Sequence, residues 1–583
     1  MVNIPQVVIN LTSIGILEEL FIKNSDKEGG EPMSEETLDE NIDTSKIVSA
    51  VLDEAHEGDI KGAFGTIRQN DSQIRRSWAR KILTLLAIMG PGLVVMVGDN
   101  DAGGVATYAQ AGQNFGLSLL WTLPMLIPVL IVNQEMVVRL GAVTGVGHAR
   151  LINERFGKFW GFFSVGDLFL LNFLTIVTEF IGVSLAMSYF GISPYISVPL
   201  AALGLILITA SGSFSHWERF MMLFVAINFL VIPLAILSHP QLAPVIHDLV
   251  IPSVKGGVNS TSVLLIIAIV GTTVAPWQLF FQQSNIVDKR ITPRWINYER
   301  ADTVIGSFVT VIAAGAIMTT IAFAFQHTSL AGQFTNAGGV ATGLRNHLGH
   351  LAGTLFAIIL LNASIIGASA VTLSTSYAFG DVFGLKHSLH RSFRDAKGFY
   401  AIFALLVFFA AAIVLIPGAP LGVITVAVQA LAGVLLPSAT VFLLLLCNDK
   451  EVLGPWVNST WLNIVAGIIV SILLILSLVL VATTVFPNVN VTEMVTSITG
   501  SFVVGGTLIG LYLIKKSNQS KEITTTTTPK AQGPKETWRM PPLALLARPE
   551  WSKGRIFGMY LMRGYLLIAV GLLIIKAIQL GGG

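Results

Sequence analysis

Apolar stretches of about 20 residues recur along most of this chain and constrain its fold more than any other feature. A helix needs about 20 residues to cross the ~30 Å hydrocarbon layer of a bilayer. Of the 583 residues, 53% are hydrophobic and only 12% are charged, whereas soluble domains carry about a quarter charged residues. The sequence therefore predicts an all-α polytopic membrane protein embedded in a lipid bilayer. The predicted spans are 82–114, 117–142, 160–189, 194–212, 218–238, 260–288, 301–327, 352–383, 397–417, 421–447, 459–486 and 494–514, with a thirteenth candidate at 556–579.

Lys and Arg residues alternate between the loops and predict the orientation. The loops before the first span and after the second, sixth and eighth spans are basic, whereas loops 239–259 and 328–350 hold one Lys or Arg each. Cytoplasmic loops carry the excess of basic residues. We therefore expect a cytoplasmic N-terminus and, as the location, the plasma membrane.

Two of the predicted spans are interrupted near their middles. The first contains the acidic stretch 99–101 followed by Gly103 and Gly104, and the sixth contains Pro276. A charge at bilayer depth costs several kcal/mol and marks a functional site by default. Proline breaks the helical hydrogen-bond ladder. Because the breaks lie five spans apart, they predict two inverted repeats with a substrate site between them.

Several motifs, in order along the chain, resemble the Nramp family of divalent-metal transporters. Asp101-Ala102-Gly103-Gly104, after Gly90-Pro91-Gly92, is similar to the family's first-span Asp-Pro-Gly-Asn signature. The stretch 273–277 is similar to its sixth-span Met-Pro-His motif, 179–182 to its third span, and Gln429 with Pro437 to its tenth. The resemblance covers roughly residues 82–450. It implies a LeuT-type fold with two inverted five-helix repeats, additional C-terminal helices, and divalent-metal transport.

Four side chains of the family pattern are replaced in this sequence. Gly104 stands where the family has Asn, Ala275 where it has Met, Trp277 where it has His, and Ile176 where it has Asp. A thioether favours transition metals, whereas oxygen ligands suit Mg²⁺ and Mn²⁺. The pattern resembles the Nramp-related magnesium transporters, a branch that lacks the methionine. It implies transport of Mg²⁺, with Mn²⁺ as a further candidate, and no proton coupling.

The resemblance also implies which residues form the metal site. Asp101 is either the principal ligand or the N-cap of the following half-helix, two roles that can coexist. Gln429 is either a ligand or a residue that hydrogen-bonds neighbouring helices. Asp99 is an added carboxylate, either a second ligand or part of the vestibule wall. Glu179 is either a residual relay or a structural carboxyl, and Trp277 is expected to fill space. The implied metal site comprises Asp101, Asp99, Gly98, Thr272, Ala275, Gln429 and Gly104, with the carbonyls of Gly98 and Thr272 facing the ion.

The rest of the chain predicts a domain order around this core. The predicted regions are an acidic, partly disordered cytoplasmic arm at 1–80 with a short helix at 47–67, a ten-helix core at 81–450 with repeats 81–238 and 260–447, two further membrane helices at 451–515, a flexible cytoplasmic linker at 516–554, and a membrane or interfacial helix at 555–583. The arm is a candidate binding segment for an unknown cytoplasmic partner. No basic block with interleaved aromatic residues indicates nucleic-acid binding.

Three other functions stay open at this point. They are a proton-coupled Mn²⁺ or Fe²⁺ symporter, a sodium-coupled organic-solute symporter on the same fold, and a membrane sensor that binds metal as a signal. No catalytic or phosphate-binding motif is visible in the sequence. An enzyme is therefore not expected, and neither is a cofactor other than the transported ion.

Overall fold

The computed structural model describes residues 54–485, 490–520 and 535–546, together with Met559, Tyr560, Arg563, Gly564, Leu567 and Gly571. The predicted disorder in the N-terminal arm lies outside the described residues. So do its proposed partner-binding role and most of the predicted linker and C-terminal helix.

Long helices occupy the positions of the predicted spans. In the described residues, nine helical segments are long and apolar enough to cross a membrane, or ten if one bent pair counts as a span. Spans 2 to 12 are Thr122–Thr144, Lys158–Tyr189, Pro194–Thr209, Phe214–Asn228 with Val231–Leu237, Ser260–Thr273 with Pro276–Asp288, Ile296–Phe325, His350–Phe383, Lys397–Val414, Leu421–Cys447, Thr460–Val485 and Val491–Ser520. The shorter connecting helices are His148–Phe156, Leu242–Val250, Ala337–Leu348 and Lys450–Leu453.

The first predicted span, 82–114, is divided into three helices. The helices are Trp78–Ile88, Pro91–Gly98 and Ala102–Phe115. The first two meet at 55°, because Gly90 adopts a φ of 152° that favours glycine. Span 1 therefore consists of the last two helices. We call Pro91–Gly98 half-helix 1a and Ala102–Phe115 half-helix 1b.

The sixth span is also divided, as its proline predicts. Half-helix 6a is Ser260–Thr273 and half-helix 6b is Pro276–Asp288. Pro276 is the first residue of 6b, where a missing N–H costs nothing. Spans 1 and 6 thus each consist of two half-helices.

Glycines let the helices around the two breaks approach closely. A Cβ on Gly271 of half-helix 6a would lie 2.2 Å from the Gln429 carbonyl oxygen of span 10. A Cβ on Gly112 of half-helix 1b would lie 2.4 Å from the Met318 carbonyl oxygen of span 7. Small residues are typical of helix interfaces in membranes. They bring spans 7 and 10 against the half-helices that hold the breaks.

Residues 54–67 form a short turn and a hairpin, so the helix predicted at 47–67 is wrong over its described part. Glu54–His56 is a 3₁₀ turn, and strands Ile60–Gly62 and Gly65–Ile67 pair antiparallel. The glycines disfavour a helix, and apolar residues on alternate positions suit a half-buried strand. Ile60 and Ile67 are only 3% and 4% exposed. This part of the predicted arm is therefore packed on the helical core.

Part of the predicted flexible linker is also packed on the core. Within 535–546, Met540 is fully buried and its N–H donates to the Val143 carbonyl oxygen at 3.2 Å. The Trp456 indole N–H donates to the Lys535 carbonyl oxygen at 2.9 Å. Apolar side chains such as Met540 stabilise a segment that its polar neighbours predict to be flexible.

Candidate cation site

Residues 99–101 form the break in span 1, and hydrogen bonds fix their conformation. Asp101 has extended backbone and caps half-helix 1b, its Oδ1 accepting from the Gly104 N–H at 2.6 Å. Asn100 Nδ2 donates to the Thr310 carbonyl oxygen of span 7 at 3.0 Å. The Thr310 hydroxyl donates in turn to the Met96 carbonyl oxygen of half-helix 1a. The break is thus held between half-helix 1b and span 7.

The break in span 6 lies beside half-helix 1b. Val274 and Ala275 have extended or irregular backbone between half-helices 6a and 6b. The Tyr108 hydroxyl of half-helix 1b lies 2.8 Å from Thr273 Oγ1 at the end of 6a. This contact joins the two broken spans next to their breaks.

Three buried oxygen atoms lie close to Gly104. Measured from the position that a Cβ on Gly104 would take, the Asp99 carbonyl oxygen is 2.8 Å away, Thr272 Oγ1 is 3.0 Å away and Asp101 Oδ1 is 3.4 Å away. These atoms come from both broken spans. Asp99, Asp101 and Thr272 are each at most 2% exposed. The two breaks therefore bring oxygen atoms from both spans together in one buried, closely packed region, and a side chain at position 104 would displace them.

Buried polar atoms without hydrogen-bond partners mark the same region. Within the described part of the chain, both carboxylate oxygens of Asp99 and the Nε2 atom of Gln429 have no partner. Nearly all buried polar groups in proteins are paired, and a buried carboxylate is costly unless it is paired or coordinates a metal. An acidic group in this state is typical of a site that binds a cation.

Gln429 of span 10 borders the site through Gly103. A Cβ on Gly103 would lie 1.7 Å from Gln429 Nε2 and 3.2 Å from Asp101 Oδ1. Only glycine leaves room for the amide at this place. A half-turn of that amide would present its oxygen, which is a ligand for hard cations, instead of its nitrogen.

Glu179 of span 3 lies at the start of half-helix 1b, next to Asp101. Its Oε2 accepts from the Ala102 N–H at 3.1 Å. A Cβ on Gly367 of span 8 would lie 2.5 Å from Glu179 Oε2 and 2.8 Å from the Asp101 Cβ. A carboxylate stabilises the N-terminus of a helix. Of the two roles left open by the sequence, this contact supports the structural one.

Trp277 packs against the end of half-helix 1a. It is 1% exposed, and a Cβ on Gly98 would lie 3.3 Å from its ring. Ser374 of span 8 donates its hydroxyl to the Trp277 carbonyl oxygen at 3.0 Å. Ala275, 4% exposed, caps half-helix 6b just before it. Trp277 therefore fills the volume between half-helix 1a, half-helix 6b and span 8.

The structure thus brings most of the predicted site residues together and adds two atoms that sequence reasoning missed. The predicted role of the Gly98 and Thr272 carbonyls as ligands stays a prediction. The two added atoms are the Asp99 carbonyl oxygen and the Thr272 hydroxyl oxygen, which lie closest to Gly104. Asn100 can be singled out from the sequence, because it stands between two aspartates in a predicted span. Thr310 gave no signal, because its contact with residue 100 spans 210 positions. In the described residues no group of three or more His, Cys, Asp and Glu side chains is arranged to hold a metal ion.

Residues 92–483 match the family model described as natural resistance-associated macrophage protein-like. The chain belongs to the Nramp family. The match covers most of the chain and includes both breaks, so the membership inferred from the motifs is confirmed. The hairpin at 60–67 precedes the matched residues.

Curated relatives align over nearly their full length. The divalent metal cation transporter MntH of Klebsiella pneumoniae (strain 342) is 27% identical over 407 residues, 68% of this chain and 94% of the relative. The protein of the same name from Staphylococcus aureus (strain Mu3 / ATCC 700698) is 26% identical over 427 residues, 68% of this chain and 91% of the relative.

Solved structures show the same fold. A mutant of the Eremococcus coleocola manganese transporter matches with a TM-score of 0.58 and 19% identity, covering 88% of this chain and 98% of that one. The same transporter in complex with an aromatic bis-isothiourea substituted compound matches with a TM-score of 0.56 and 20% identity, covering 87% and 97%. The predicted helical membrane architecture of the LeuT type is confirmed. The chain is a multi-pass membrane transporter and not an enzyme.

Proposed function

We propose that this protein transports divalent cations by alternating access, with Mg²⁺ as its main substrate, Mn²⁺ as a further candidate, and no proton coupling. The single observation that supports this most is the convergence of three buried oxygen atoms on Gly104. The three oxygens lie 2.8–3.4 Å from the missing Cβ and come from both broken spans. The relatives named as divalent metal cation transporters support the general function.

The donor set favours Mg²⁺ over softer metals. Mg²⁺ keeps several waters and is usually held by one or two carboxylates. Asp101 and Asp99 supply two carboxylates, and Thr272 supplies a hydroxyl. Ala275 offers a methyl group where the family has a thioether, so a soft ligand is missing. Gly104 has no side chain that would compete with an ion for these oxygens. In this proposal Asp101 and Asp99 are the charged ligands, Gly98, Thr272 and Gln429 offer neutral donors, and the small residues Ala275 and Gly104 are expected to widen the site for a partly hydrated ion.

The absence of proton coupling is proposed from the side chains at the relay positions. Trp277 and Ile176, which cannot carry a proton, are 1% and 0% exposed. Glu179 caps half-helix 1b. The membrane potential supplies ~2.3 kcal/mol per charge per 100 mV, thus roughly 4.6 kcal/mol for a divalent cation. That is enough to drive uptake into a negative interior.

Location and topology are part of the same proposal. We place the transporter in the plasma membrane with its N-terminus and basic loops in the cytoplasm, following the positive-inside rule. The N-terminal arm would then be available to a cytoplasmic partner.

One alternative has an observation in its favour. A proton-coupled Mn²⁺ symporter would use the carboxylate of Glu179, which is fully buried beside Asp101. The manganese transporter among the similar structures makes this the strongest competitor. Membership of a metal-transporter family leaves little support for an organic-solute symporter.

Uptake by the purified protein in liposomes tests the proposal. We expect uptake of Mg²⁺, competition by Mn²⁺, and no acidification of the lumen, reported by a trapped fluorescent pH indicator. Asp101→Ala should abolish uptake. Acidification that depends on Mg²⁺ uptake would overturn the uncoupled mechanism, and normal transport by Asp101→Ala would overturn the site.

A further inference from the structure

Residues 54–67, which we call the N-terminal strap, lie directly against the residues that lead into half-helix 1a. A Cβ on Gly62 would lie 2.0 Å from the Ala87 carbonyl oxygen, and one on Gly65 would lie 3.1 Å from the Ala87 Cβ. Ala87 is the second-last residue of helix Trp78–Ile88. The two glycines therefore let the hairpin backbone touch the chain just before span 1 begins.

A buried ion pair connects the strap to three other elements. Glu218 of span 5 accepts from the Ala63 N–H through Oε2 at 2.6 Å and from Lys289 Nζ through Oε1 at 2.6 Å. The two charged side chains are 1% and 0% exposed. Lys289 also donates to the carbonyl oxygens of Ile88 at 2.7 Å and Met89 at 2.9 Å. One network thus joins the strap, span 5, the residue after half-helix 6b and the entry to half-helix 1a.

The turn of the strap is bonded to the end of half-helix 6b. The Arg290 guanidinium donates to the Ala55 carbonyl oxygen through Nη2 at 2.8 Å and Nε at 3.0 Å. His56 Nε2 lies 3.6 Å from Oδ1 of Asp288, the last residue of 6b. A Cβ on Gly58 would lie 2.7 Å from Arg290 Nη1, so glycine makes room for this contact.

His56 also lies at the edge of a cavity on the same side of the protein. The cavity has a volume of about 360 Å³ and is lined by Ser284 and Val287 of half-helix 6b and by Asp381 of span 8. The strap therefore borders a cavity that lies beside half-helix 6b.

We propose that the N-terminal strap is a latch. It holds the transport pathway closed on the side where half-helix 1a begins and half-helix 6b ends, and it must detach before that side can open. Alternating access in this fold class is largely a rocking of helices around a fixed site. The strap network bonds the start of half-helix 1a to the end of half-helix 6b, and separating these ends breaks it. The inference rests on the proposed transport function, and it assigns a gating role to a segment that precedes the residues matched by the family model.

A reversible crosslink tests whether the strap must move. Cysteines at positions 65 and 87 (Gly65→Cys with Ala87→Cys) can form a disulfide after a small outward shift of the hairpin, because their Cβ atoms would be about 3.1 Å apart and disulfides have Cβ distances of roughly 3.5–4.5 Å. Cys447→Ala removes the natural cysteine of the chain. We expect oxidation of the pair to lower Mg²⁺ uptake at least ~10-fold relative to the reduced pair and a reductant to restore it, whereas oxidant leaves the uptake of each single-cysteine variant unchanged. Full crosslinking with unchanged uptake would overturn the latch.

A second experiment needs no transported ion and so separates the latch from the proposed function. Ser284→Cys, in the Cys447→Ala background, places a reporter on the cavity wall. Gly62→Val should displace the strap and raise the rate of modification by a membrane-impermeant thiol reagent about 5-fold. The matched control is Lys61→Val, because Lys61 is an exposed strap residue.

An equal labelling rate in Gly62→Val and Lys61→Val would overturn the latch, provided that both melt near the parent temperature. If no variant transports Mg²⁺ but the labelling rates differ as expected, the proposed function fails and the latch stands.

Discussion

The two breaks have the same architecture and opposite chemistry. The first lies between half-helices 1a and 1b and contains Asp99, Asn100 and Asp101, whereas the second contains Val274 and Ala275. An acidic N-cap and a side-chain bond to span 7 fix the first break. A proline at the start of half-helix 6b fixes the second. In the proposed site, charge for the cation therefore comes from one break only, and the other break provides a hydroxyl.

This asymmetry separates affinity from selectivity. The carboxylates of Asp99 and Asp101 attract any divalent cation, because Coulomb attraction does not depend on the softness of the metal. In the proposed mechanism the second break decides which ion fits, because Ala275 withholds a soft ligand. Substitutions at the first break should thus change the rate for all ions, and substitutions at the second should change the ratio between ions.

The largest effect is expected from removing the charge of the first break. Asp101→Asn keeps the shape and loses the carboxylate, so we expect uptake of both Mg²⁺ and Mn²⁺ to fall at least ~100-fold in liposomes. Asp99→Asn should cost about 10-fold, because one carboxylate remains. Asp71→Asn is the control, since that carboxylate pairs with Arg75 at 2.6 Å outside the spans. Retention of half the uptake by Asp101→Asn would contradict the account.

Adding a side chain at Gly104 should have the next largest effect. The Cβ of Gly104→Asn would lie 2.8–3.4 Å from three buried oxygens and must displace them, so we expect Mg²⁺ uptake to fall about 20-fold and Mn²⁺ uptake to fall less. Gly257→Asn is the matched control, because a Cβ there meets no atom within 4 Å and Asn tolerates the positive φ. Unchanged Mg²⁺ uptake would show that these oxygens are not part of the site.

The second break should change selectivity more than rate. Ala275→Met restores a soft thioether, and we expect the ratio of Mn²⁺ to Mg²⁺ uptake to rise about 5-fold, measured by competition. Leu264→Met, in the partly buried outer part of half-helix 6a, should leave the ratio unchanged. An unaltered ratio in Ala275→Met would mean that position 275 does not face the ion.

The smallest effect is expected at Trp277. Its ring packs on Gly98 and near Phe281, so Trp277→Phe should keep uptake within about 2-fold and lower the melting temperature by a few degrees. A loss of uptake above ~10-fold at an unchanged melting temperature would place Trp277 in the transport chemistry instead.

Local signals explain what the sequence predicts well. Span bounds follow from hydropathy and length, and both breaks follow from Asp, Gly and Pro residues that cannot continue a helix in lipid. The capping role of Asp101 also follows from the sequence, because Asp is a favoured N-cap residue. Contacts between distant segments could not be predicted, such as Asn100 with Thr310 of span 7. The hairpin of the strap could not be predicted either, because its glycines act through packing against Ala87, which only the fold brings near.

The reversal potential of the purified protein in a planar bilayer tests the central claim most directly. A divalent cation that crosses alone gives about 30 mV per tenfold Mg²⁺ gradient at 25 °C, the value for two charges. We predict this slope and no shift of the reversal potential when a gradient of one pH unit is added. A reversal potential that moves with the pH gradient would contradict uncoupled Mg²⁺ transport.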